Sequence, residues 1–498
     1  MDPVRHPASR GRVAVGALAL ALLLSACHED TPSPARTWPV RFEPGAGTPR
    51  FDRVILVTID TLRADHVSAY GYFRKTTPFL DRLAERGVLF ERAMAAVSHT
   101  APSHATMLTG LTPFEHGVEQ NGQSLAPSAS DLASLFRGLG YETAAFLNVK
   151  FLRGITPSFD EVTAETNSGP LVDAAMKWLR QGRREERFFL WLHLYGPHRW
   201  KDTEHVPERS LAALKRDSPL EGPELFERER ALHGLPAAGD DGSLALRWAA
   251  ASESGDRIEV ESVRDWLEII DRYDAHIRHA DELVERLHAA VEGLNLPGTT
   301  LWIVTSDHGE GLASHGVAGH GSRIYQEQLH VPFLLAASDH SIGPARIREL
   351  VAHVDLLPTL AQWMGVRVEG LDPDLHGVSL VPLLEGSREW TPREVFSQRR
   401  PVPEDAEHRG KRADEELYAL QDGRSKLLLH EPGAEELYDL EADPLESENL
   451  AESDPDARIE LERRLRARVT VYKARRRGGA PEVPEEWAAE LRDLGYVE

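Results

Sequence analysis

The sequence predicts an α/β fold, with a large, mostly parallel sheet flanked by helices and a smaller C-terminal α+β subdomain. Three observations lead to this prediction. Continuous apolar runs are typical of strands that are buried on both faces. Stretches with apolar residues at helical spacing lie between these runs, and strands that alternate with helices indicate a parallel sheet. Past residue 390 the charge rises and the apolar runs shorten, which indicates a smaller separate unit.

The predicted elements of the large sheet follow from individual segments. Three apolar runs are predicted to be buried strands: 54–59, 188–192 and 300–305. Thr77 and Pro78 supply the cap and first-turn proline of a helix, which ends near Gly87. Between the second and third strands, apolar residues from Trp266 to Leu287 recur at helical spacing and predict a long helix that faces the core.

Shifts in composition divide the chain into segments. We predict a catalytic domain over residues 51–390, interrupted by a polar insertion at about 200–262 where the apolar pattern becomes uneven. Residues 391–498 form the C-terminal subdomain, which includes a charged helix at about 454–477. Residues 28–50 are rich in Pro, Gly and polar side chains, which indicates an extended linker.

Charge and cysteine content exclude several classes of protein. The 498 residues carry a formal net charge of −23, and this field disfavours a general nucleic-acid binder because it repels phosphate. The composition contains one Cys, which excludes an intrachain disulfide framework and a Cys-rich zinc module. Hydrophobic residues make up 41% of the chain, a proportion typical of a globular protein with a large core.

The N-terminal residues 1–27 have the pattern of a targeting segment. Basic residues precede an apolar run from Val13 to Leu24, which is shorter than the roughly 20 residues of a membrane span. The sequence Leu24-Ser25-Ala26-Cys27 then resembles a bacterial lipobox, which implies lipid attachment at Cys27. We therefore expect a lipid-anchored protein of the bacterial envelope that faces the periplasm or the cell exterior. A plain secretory signal and a buried N-terminal helix are the alternatives.

Acidic residues follow two of the predicted strands. Asp60 comes directly after the first strand, and Asp307 with His308 follows the strand at 300–305. Ligands gather beyond the carboxyl ends of parallel strands, so these side chains are candidates for one divalent-metal site. The alternative is that Asp60 caps a helix and Asp307 caps a turn.

Five segments in order resemble the sulfatase family of the alkaline-phosphatase superfamily. The resemblance runs from about residue 51 to 450 and rests on these segments: Ile59–Asp65, Thr100–Gly110, Ser306–Gly316, His353–Pro358 and Glu436–Pro444. It implies an alkaline-phosphatase-like α/β domain, a smaller C-terminal domain, and a metal-dependent ester hydrolase. It also implies one divalent metal beside a covalent nucleophile at a helix N-terminus.

The nucleophile segment departs from the family pattern at two positions. Family members have Cys or Ser where this chain has Thr100, and Arg where it has His104. Thr cannot be oxidised to the formylglycine of sulfatases, because that chemistry starts from a side chain with an oxidisable CH₂. Thr100 can still attack an ester if a metal lowers its hydroxyl pKa. A helix cap is the alternative role for Thr100, and Ser98 and Ser103 are the alternative nucleophiles.

The predicted metal ligands differ from those of the family at two positions. Thr61 matches the second acidic ligand of the family, and His308 matches an Asn. The resemblance therefore implies a metal site made of Asp60, Thr61, Thr100, Asp307 and His308. Because one of these donors is an imidazole, we predict one divalent metal, with Zn²⁺ or Mn²⁺ favoured over Ca²⁺. A second metal could be held by His198, His315 and His320.

The resemblance also places residues around the ester. Asn148 and His320 match two lysines that hold sulfate in sulfatases, and His198 matches a histidine that contacts the ester group. We assign Asn148 and His315 to substrate binding, and we assign catalytic roles to Thr100, His104, His198 and His320. Either His198 or His320 would protonate the leaving oxygen. His193 and His353 are predicted to be structural.

Taken together, these residues predict in-line attack by Thr100 and a covalent threonyl intermediate. Phosphate mono- or diesters are the preferred substrates of this prediction, because phosphorus can be attacked a second time. The alternatives are a sulfuric ester hydrolase, a phosphoethanolamine-type transferase on envelope lipid or glycan, and a non-catalytic envelope binding lipoprotein. The expected partners are a small-molecule, glycan or lipid ester and the membrane, through the lipid anchor, but no nucleic acid. The sequence does not indicate an oligomeric state.

Overall fold

A computed structural model of the chain describes most residues from 38 to 477. The described residues omit 46, 182–186, 240–241, 252–256, 374–375, 388–389, 401–415 and 432; beyond 477 only Trp487 and Leu491 are described. The predicted signal segment, Cys27 and residues 28–37 of the predicted linker lie outside the described residues. Within the described chain, no helix has both the length and the apolar character that a membrane crossing requires.

The strands were numbered in chain order. They are β1 (Arg41–Pro44), β2 (Arg53–Ile59), β3 (Val88–Met94), β4 (Glu142–Leu147), β5 (Glu161–Ala164), β6 (Phe188–Leu194), β7 (Ser243–Ala251), β8 (Arg257–Ser262), β9 (Thr300–Thr305), β10 (His330–Ala337), β11 (Ala345–Ala352), β12 (Val366–Glu369), β13 (Val395–Arg399), β14 (Glu416–Gln421), β15 (Ser425–Glu431) and β16 (Glu435–Asp439).

The α-helices are α1 (Pro78–Ala84), α2 (Thr100–Thr109), α3 (Pro113–His116), α4 (Leu132–Gly138), α5 (Ser168–Arg180), α6 (Glu208–Asp217), α7 (Gly222–Leu232), α8 (Val263–Gly293), α9 (Gln326–Leu329), α10 (Leu356–Trp363), α11 (Val381–Leu384) and α12 (Pro455–Arg475). Short 3₁₀ segments lie at Ala64–His66, Ser68–Tyr70, Lys150–Ile155, Gly196–Lys201, Ser314–Gly316 and His353–Asp355.

Eight strands form the large sheet, in the order β11-β3-β10-β9-β2-β6-β4-β5. Within this sheet β10 runs antiparallel to its neighbours β3 and β9, whereas the other pairings are parallel. The predicted mostly parallel α/β sheet is therefore confirmed. The three predicted strands are β2, β6 and β9, and they lie side by side with β2 in the middle.

The apolar run in β2 is explained by burial on both faces of the sheet. Val54 and Leu56 pack into one core, while Ile55, Val57 and Ile59 pack into a second core on the opposite face. Alternate residues of a strand point to opposite faces, so a strand covered on both sides needs apolar residues throughout. The long helix predicted from Trp266 to Leu287 lies within α8, which covers the second face and packs against α1, α5 and α6.

The stretch predicted as a polar insertion contains α6, α7 and the antiparallel pair β7–β8. Helix α6 packs along α8, and α7 buries Leu225, Phe226 and Glu229. A buried glutamate is unusual, because a carboxylate loses its hydration on burial. The insertion therefore contributes a buried polar side chain to the protein interior as well as exposed residues to the surface.

The C-terminal subdomain is a four-stranded antiparallel sheet, β13-β14-β15-β16, covered by α12. Helix α12 matches the charged helix predicted at about 454–477, and its apolar residues at three- and four-residue spacing face the sheet. The subdomain is tied to the large domain by polar contacts. The Lys426 ammonium donates to the Ile324 carbonyl of the large domain at 2.7 Å, and within the subdomain it forms a buried ion pair with Glu446.

Truncation of a buried side chain on α12 is expected to destabilise the subdomain. Leu465 is fully buried, so Leu465→Ala should lower the free energy of unfolding by about 2–5 kcal/mol, since it removes buried methyl groups and leaves a cavity. Ile459 on the same helix is 54% exposed, and Ile459→Ala should change the free energy of unfolding by less than about 0.5 kcal/mol. Equilibrium urea unfolding of both variants measures the difference, and equal effects would contradict the assigned face of α12.

Candidate functional site

The candidate site lies at the carboxyl ends of β2, β6 and β9. Strand β2 pairs in parallel with both neighbours, and Thr58 is opposite His193 on one side and Thr305 on the other. This register brings Asp60 and Asp307, each two residues past its Thr, to the same edge of the sheet. Ligand atoms of Asp60, Asp307 and His308 lie within 4.8 Å of one another, and all three residues are buried. The convergence predicted from the sequence is thus present in the structure.

The two carboxylates are only partly satisfied by protein groups. Asp60 Oδ2 accepts a hydrogen bond from His193 Nε2 at 3.1 Å, and Asp307 Oδ1 accepts from the backbone N–H groups of Thr61 and His308. The other oxygen of each carboxylate is buried without a hydrogen-bond partner among the described residues. Buried polar atoms are normally paired, so these two oxygens identify a place where a cation fits.

Charge interactions support the same conclusion. Burial, together with the charge of Asp307, raises the pKa of Asp60 well above its ordinary value. Burial alone would raise the pKa of Asp307 as well, but the neighbouring His308, His104 and His193 lower it. Two adjacent buried carboxylates resist simultaneous ionisation unless a positive charge lies between them. A divalent cation would supply that charge.

His308 is oriented as a metal ligand. Its Nδ1 atom lies 2.9 Å from the Gly309 carbonyl oxygen, which can only accept, so Nδ1 carries the hydrogen. The Nε2 atom therefore offers its lone pair, and it lies 3.4 Å from Asp307 Oδ2 and 3.5 Å from Thr100 Oγ1. A hydrogen bond on the outer nitrogen fixes the tautomer of a ligating histidine in this way. Asp60, Asp307 and His308 can thus hold a divalent metal beside the Thr100 hydroxyl.

Thr100 is the first residue of α2 and is fully buried. His99 occupies the cap position of this helix, without a capping side-chain bond. The alternative that Thr100 caps the helix is therefore wrong. A side chain in the first turn lies close to the positive end of the helix dipole, which favours an anionic ester beside Thr100.

His104 lies one turn after Thr100 and acts on its backbone. His104 Nδ1 donates to the Thr100 carbonyl at 2.7 Å, so Nε2 accepts from the Thr58 hydroxyl at 3.0 Å. Trp191 Nε1 in turn donates to the same hydroxyl oxygen. Burial lowers the pKa of His104 to about 3, so the ring is a neutral imidazole. His104 therefore holds the backbone of Thr100, and its catalytic role stays a prediction from the sequence.

Two further histidines approach the site from other segments. The His320 ring lies 4.4 Å from the His308 ring and 4.9 Å from the His198 ring, measured between centroids. His320 Nδ1 is 3.3 Å from both carboxylate oxygens of Glu310, and Trp200 Nε1 donates to Glu310 at 2.9 Å. Histidine charge holds the pKa of Glu310 low, although burial opposes this effect. The two predicted ester-contacting histidines are thus brought together beside His308.

Three predicted site residues use their polar atoms elsewhere in the protein. The Thr61 hydroxyl donates to the Asp60 carbonyl, and Asn148 bonds to Glu165, Ser168 and Tyr195 through both atoms of its amide. His315 stacks on Tyr325 at 3.9 Å and contacts Glu327 and the Glu446 carbonyl. Buried polar atoms are normally satisfied by nearby protein partners in this way. Metal binding by Thr61 and substrate binding by Asn148 and His315 stay predictions from the sequence.

The alternative nucleophiles are also engaged. The Ser98 hydroxyl donates to the Arg323 carbonyl at 2.9 Å, and the Ser103 hydroxyl donates to the Asp307 carbonyl at 2.6 Å. His353 contacts Ser103 through Nδ1 at 3.2 Å, which agrees with its predicted structural role. The Ser103 bond holds the first turn of α2 against the segment that follows β9.

Sequence reasoning missed two residues of the site. His193, which we predicted to be structural, lies at the end of β6 and contacts Asp60 directly. Glu310 belongs to the Ser306–Glu310 motif, but the motif gives no sign that it faces His320. His193 could have been found, because it lies near the carboxyl end of a predicted strand, where ligands gather.

Comparison with known proteins gives a consistent result. The family model described as "Sulfatase" matches residues 52–366, and that described as "N-sulphoglucosamine sulphohydrolase, C-terminal" matches residues 320–474. The chain is 31% identical over 418 residues to choline-sulfatase of Rhizobium meliloti, which covers 76% of this chain and 78% of that protein. It is 24% identical over 450 residues to Delta 4,5-hexuronate-2-O-sulfatase of Bacteroides thetaiotaomicron, with coverages of 82% and 86%.

A solved structure shares the fold. The phosphonate monoester hydrolase of Agrobacterium radiobacter superposes with a TM-score of 0.63 at 22% identity, covering 84% of this chain and 96% of that one. The family match spans more than half of this chain and includes the segments that carry Asp60, Thr100, Asp307 and His308. The chain therefore belongs to the sulfatase family of the alkaline-phosphatase superfamily and is an ester hydrolase.

Proposed function

We propose that this protein hydrolyses a sulfuric or related tetrahedral ester, with Thr100 as the nucleophile. One observation carries the proposal. The Thr100 hydroxyl lies in the first turn of α2, 3.5 Å from His308 Nε2, at the edge of the sheet where Asp60 and Asp307 each have an unpartnered oxygen. A nucleophile beside a cation site and a helix N-terminus is an arrangement that supports ester transfer.

The metal would be held by Asp60, Asp307 and His308. When bound, it supplies positive charge that stabilises negative oxygen atoms during ester cleavage and lowers the pKa of a nearby hydroxyl. The imidazole of His308 in the donor set favours Zn²⁺ or Mn²⁺, whereas Ca²⁺ prefers a shell made only of oxygen. One such ion per chain is our proposal for this site.

The remaining residues position the reaction and handle its protons. The hydrogen-bond chain from Trp191 through Thr58 to His104 holds the Thr100 carbonyl, and so sets the position of the nucleophile. We assign the proton for the leaving oxygen to His320, whose ring lies beside His308, or to His198, whose ring lies beside His320. Glu310 holds His320 in place through Nδ1. Water then hydrolyses the ester formed on Thr100, which restores the Thr100 hydroxyl and releases the acid portion of the substrate.

Sulfate esters are the first candidate substrates, because the relatives described above are named as sulfatases. The names of two of them, a hexuronate 2-O-sulfatase and a choline-sulfatase, support a glycan or a small alcohol as the rest of the substrate. This order reverses our expectation from the sequence, which placed phosphate esters first.

Phosphorus esters are the second candidate, and one observation favours them. Thr100 cannot be oxidised to formylglycine, so a sulfated Thr100 would lack the elimination that an aldehyde hydrate provides. A phosphorylated threonine can instead be attacked at phosphorus by water. A structural neighbour that shares the fold is named as a phosphonate monoester hydrolase, which supports phosphorus esters as a candidate substrate class. Transfer to an acceptor alcohol in place of water remains the transferase alternative.

Lipid attachment at Cys27 and a location in the bacterial envelope remain predictions from the sequence. If they hold, the enzyme meets esters outside the cytoplasm. Growth with labelled palmitate, followed by isolation of the wild-type chain and of Cys27→Ala, would test the attachment.

Removal of the Thr100 hydroxyl is expected to abolish turnover. Thr100→Val keeps the volume of the side chain, and it should lower kcat by at least about 10³-fold, because loss of a covalent nucleophile has effects of this size or larger. Nitrophenyl sulfate, phosphate monoester, phosphodiester and phosphonate monoester should be assayed with Zn²⁺, Mn²⁺ and Ca²⁺ in turn. Thr109→Val is the matched control, since Thr109 is buried on the same helix and its hydroxyl bonds only to nearby backbone.

The assay separates the two candidates and tests the mechanism. Preference for the sulfate ester supports the first candidate, and preference for a phosphorus ester supports the second. Turnover of any ester at the wild-type rate by Thr100→Val would contradict Thr100 as the nucleophile, and an equal loss in Thr109→Val would show that the effect is structural.

Removal of a predicted metal ligand should remove the metal. Asp307→Asn keeps the shape of the side chain but lowers its negative charge, so the chain should retain less than about a tenth of the wild-type metal at this site and lose turnover with it. Metal content after dialysis, measured by mass spectrometry, checks the prediction. Asp339→Asn, at an exposed turn, is the control and should retain the metal. Retention of the full metal content in Asp307→Asn would contradict the assignment.

A further inference from the structure

A second group of metal-binding side chains lies apart from the candidate active site. It consists of His66, Glu229 and His233, and all three are buried. His66 ends the 3₁₀ segment that follows Asp60, Glu229 lies on α7, and His233 comes directly after α7. None of the three has a role in the proposed reaction. The group therefore joins the predicted insertion to the loop that carries an active-site ligand.

The spacing of the three inner atoms matches that of metal ligands. His66 Nε2 and His233 Nε2 lie 3.1 Å apart, and His233 Nε2 lies 3.7 Å from Glu229 Oε2. One ligand atom from each residue lies within 4.8 Å of the other two. Around tetrahedral Zn²⁺, with bonds of about 2.0–2.1 Å, neighbouring ligand atoms are separated by about 3.3 Å. Small side-chain adjustments would therefore bring the three atoms onto one ion.

Each side chain is held by a partner on its outer atom. His66 Nδ1 lies 2.8 Å from Asp274 Oδ1, His233 Nδ1 lies 3.1 Å from Ser314 Oγ, and Tyr72 donates to Glu229 Oε1 at 2.6 Å. The contact between His66 and Asp274 has the pattern of a carboxylate–histidine–metal arrangement, in which the outer hydrogen bond fixes the ligating nitrogen. The partners thus leave the inner atoms facing one another.

A hydrogen bond between the two histidines does not satisfy the whole group. If His66 Nδ1 donates to Asp274, His66 Nε2 carries no hydrogen and can accept a hydrogen bond from His233 Nε2. Glu229 Oε2 would still have no hydrogen-bond partner among the described residues, although Glu229 is fully buried. A cation between the three inner atoms would satisfy this oxygen and both nitrogens together.

The arginine beside the group does not prevent this arrangement. Arg63 Nη1 lies 3.2 Å from His233 Nδ1, but it also lies 3.2 Å from the carbonyl oxygens of Glu310 and Gly311. Its two hydrogens can be donated to those carbonyls, which leaves His233 Nδ1 free to donate to Ser314. The second arginine nearby, Arg74, pairs with Asp274 and Asp271.

Negative charge around the group also favours a cation. The Tyr72 hydroxyl lies 2.6 Å from Glu229 Oε1 and 2.7 Å from Asp274 Oδ2, and its single hydrogen can serve only one of these carboxylates. The rings of Tyr72, Tyr273 and Trp266 pack against the two histidines at centroid distances from 4.5 to 5.2 Å. In such apolar surroundings an uncompensated carboxylate is costly.

We propose that His66, Glu229 and His233 form a structural divalent-metal site, with Zn²⁺ as the preferred ion. Two imidazoles and one carboxylate are a donor set that suits Zn²⁺, and water would complete its four-fold coordination. The ion would fasten α7 to the loop between Asp60 and His66. It is independent of the active-site metal and does not take part in ester cleavage.

Metal stoichiometry of the full chain tests the proposal. The double variant Asp60→Asn/Asp307→Asn removes the active-site carboxylates, and after dialysis against Zn²⁺ it should retain about one ion per chain. Adding Glu229→Gln should weaken Zn²⁺ binding by about 10–100-fold or more, because the amide keeps the shape but is a poor ligand. Glu224→Gln, on the exposed side of the same helix, is the control and should leave binding unchanged.

Two further readouts do not depend on activity. Co²⁺ in the double variant should give the intense visible absorption of a tetrahedral site, and Glu229→Gln should abolish it. Chelation should speed proteolysis within α6 and α7 in the double variant. Absence of bound Zn²⁺ and Co²⁺ from a folded double variant would overturn the proposal, as would equal Zn²⁺ affinity with and without Glu229→Gln. Either result would mean that His66 and His233 are joined by a hydrogen bond and do not bind a metal.

Discussion

The burial of two carboxylates side by side at one edge of the sheet is the constraint on which the site depends. Parallel pairing of β2 with β9 brings Asp60 and Asp307 to the same edge, where both are removed from water. The protein offsets this cost with backbone N–H groups to Asp307 and with His193 to Asp60, but one oxygen on each carboxylate is left over. A cation site is therefore a consequence of the strand register.

The loop from Asp60 to His66 is held in place by the elements around the site. Tyr273 on α8 donates to the Thr61 carbonyl and accepts from the Arg63 N–H, and Ser306 accepts from the Leu62 N–H. Arg63 also pairs with Asp65 at 2.6 Å, with its guanidinium buried. The loop is therefore braced by α8 and by the segment after β9, and it links the active-site ligand Asp60 to the buried His66 group.

The departures from the family pattern around Thr100 are compatible with an ordered site. His104 replaces an arginine, yet as a neutral ring it satisfies the Thr100 carbonyl and the Thr58 hydroxyl. Loss of that positive charge leaves less protein charge near the carboxylates, which increases their need for a metal. The replacement of Cys or Ser by Thr keeps a hydroxyl at the helix N-terminus but removes the route to an aldehyde.

Much of the fold and part of the site were determined by the sequence alone. The strands β2, β6 and β9 and the helix α8 follow from continuous or periodic apolar residues, because burial on both faces or on one face imposes those patterns. The meeting of Asp60, Asp307 and His308 follows because the carboxyl ends of parallel strands share an edge. Tertiary structure decided the rest, since side-chain atoms pair with whichever partner the fold brings near. It turned Thr61, Asn148 and His315 onto other protein groups and brought His193 and Glu310 into the site. It also joined His66 to His233, 167 residues later in the chain, and no local pattern in the sequence can signal a contact made over that distance.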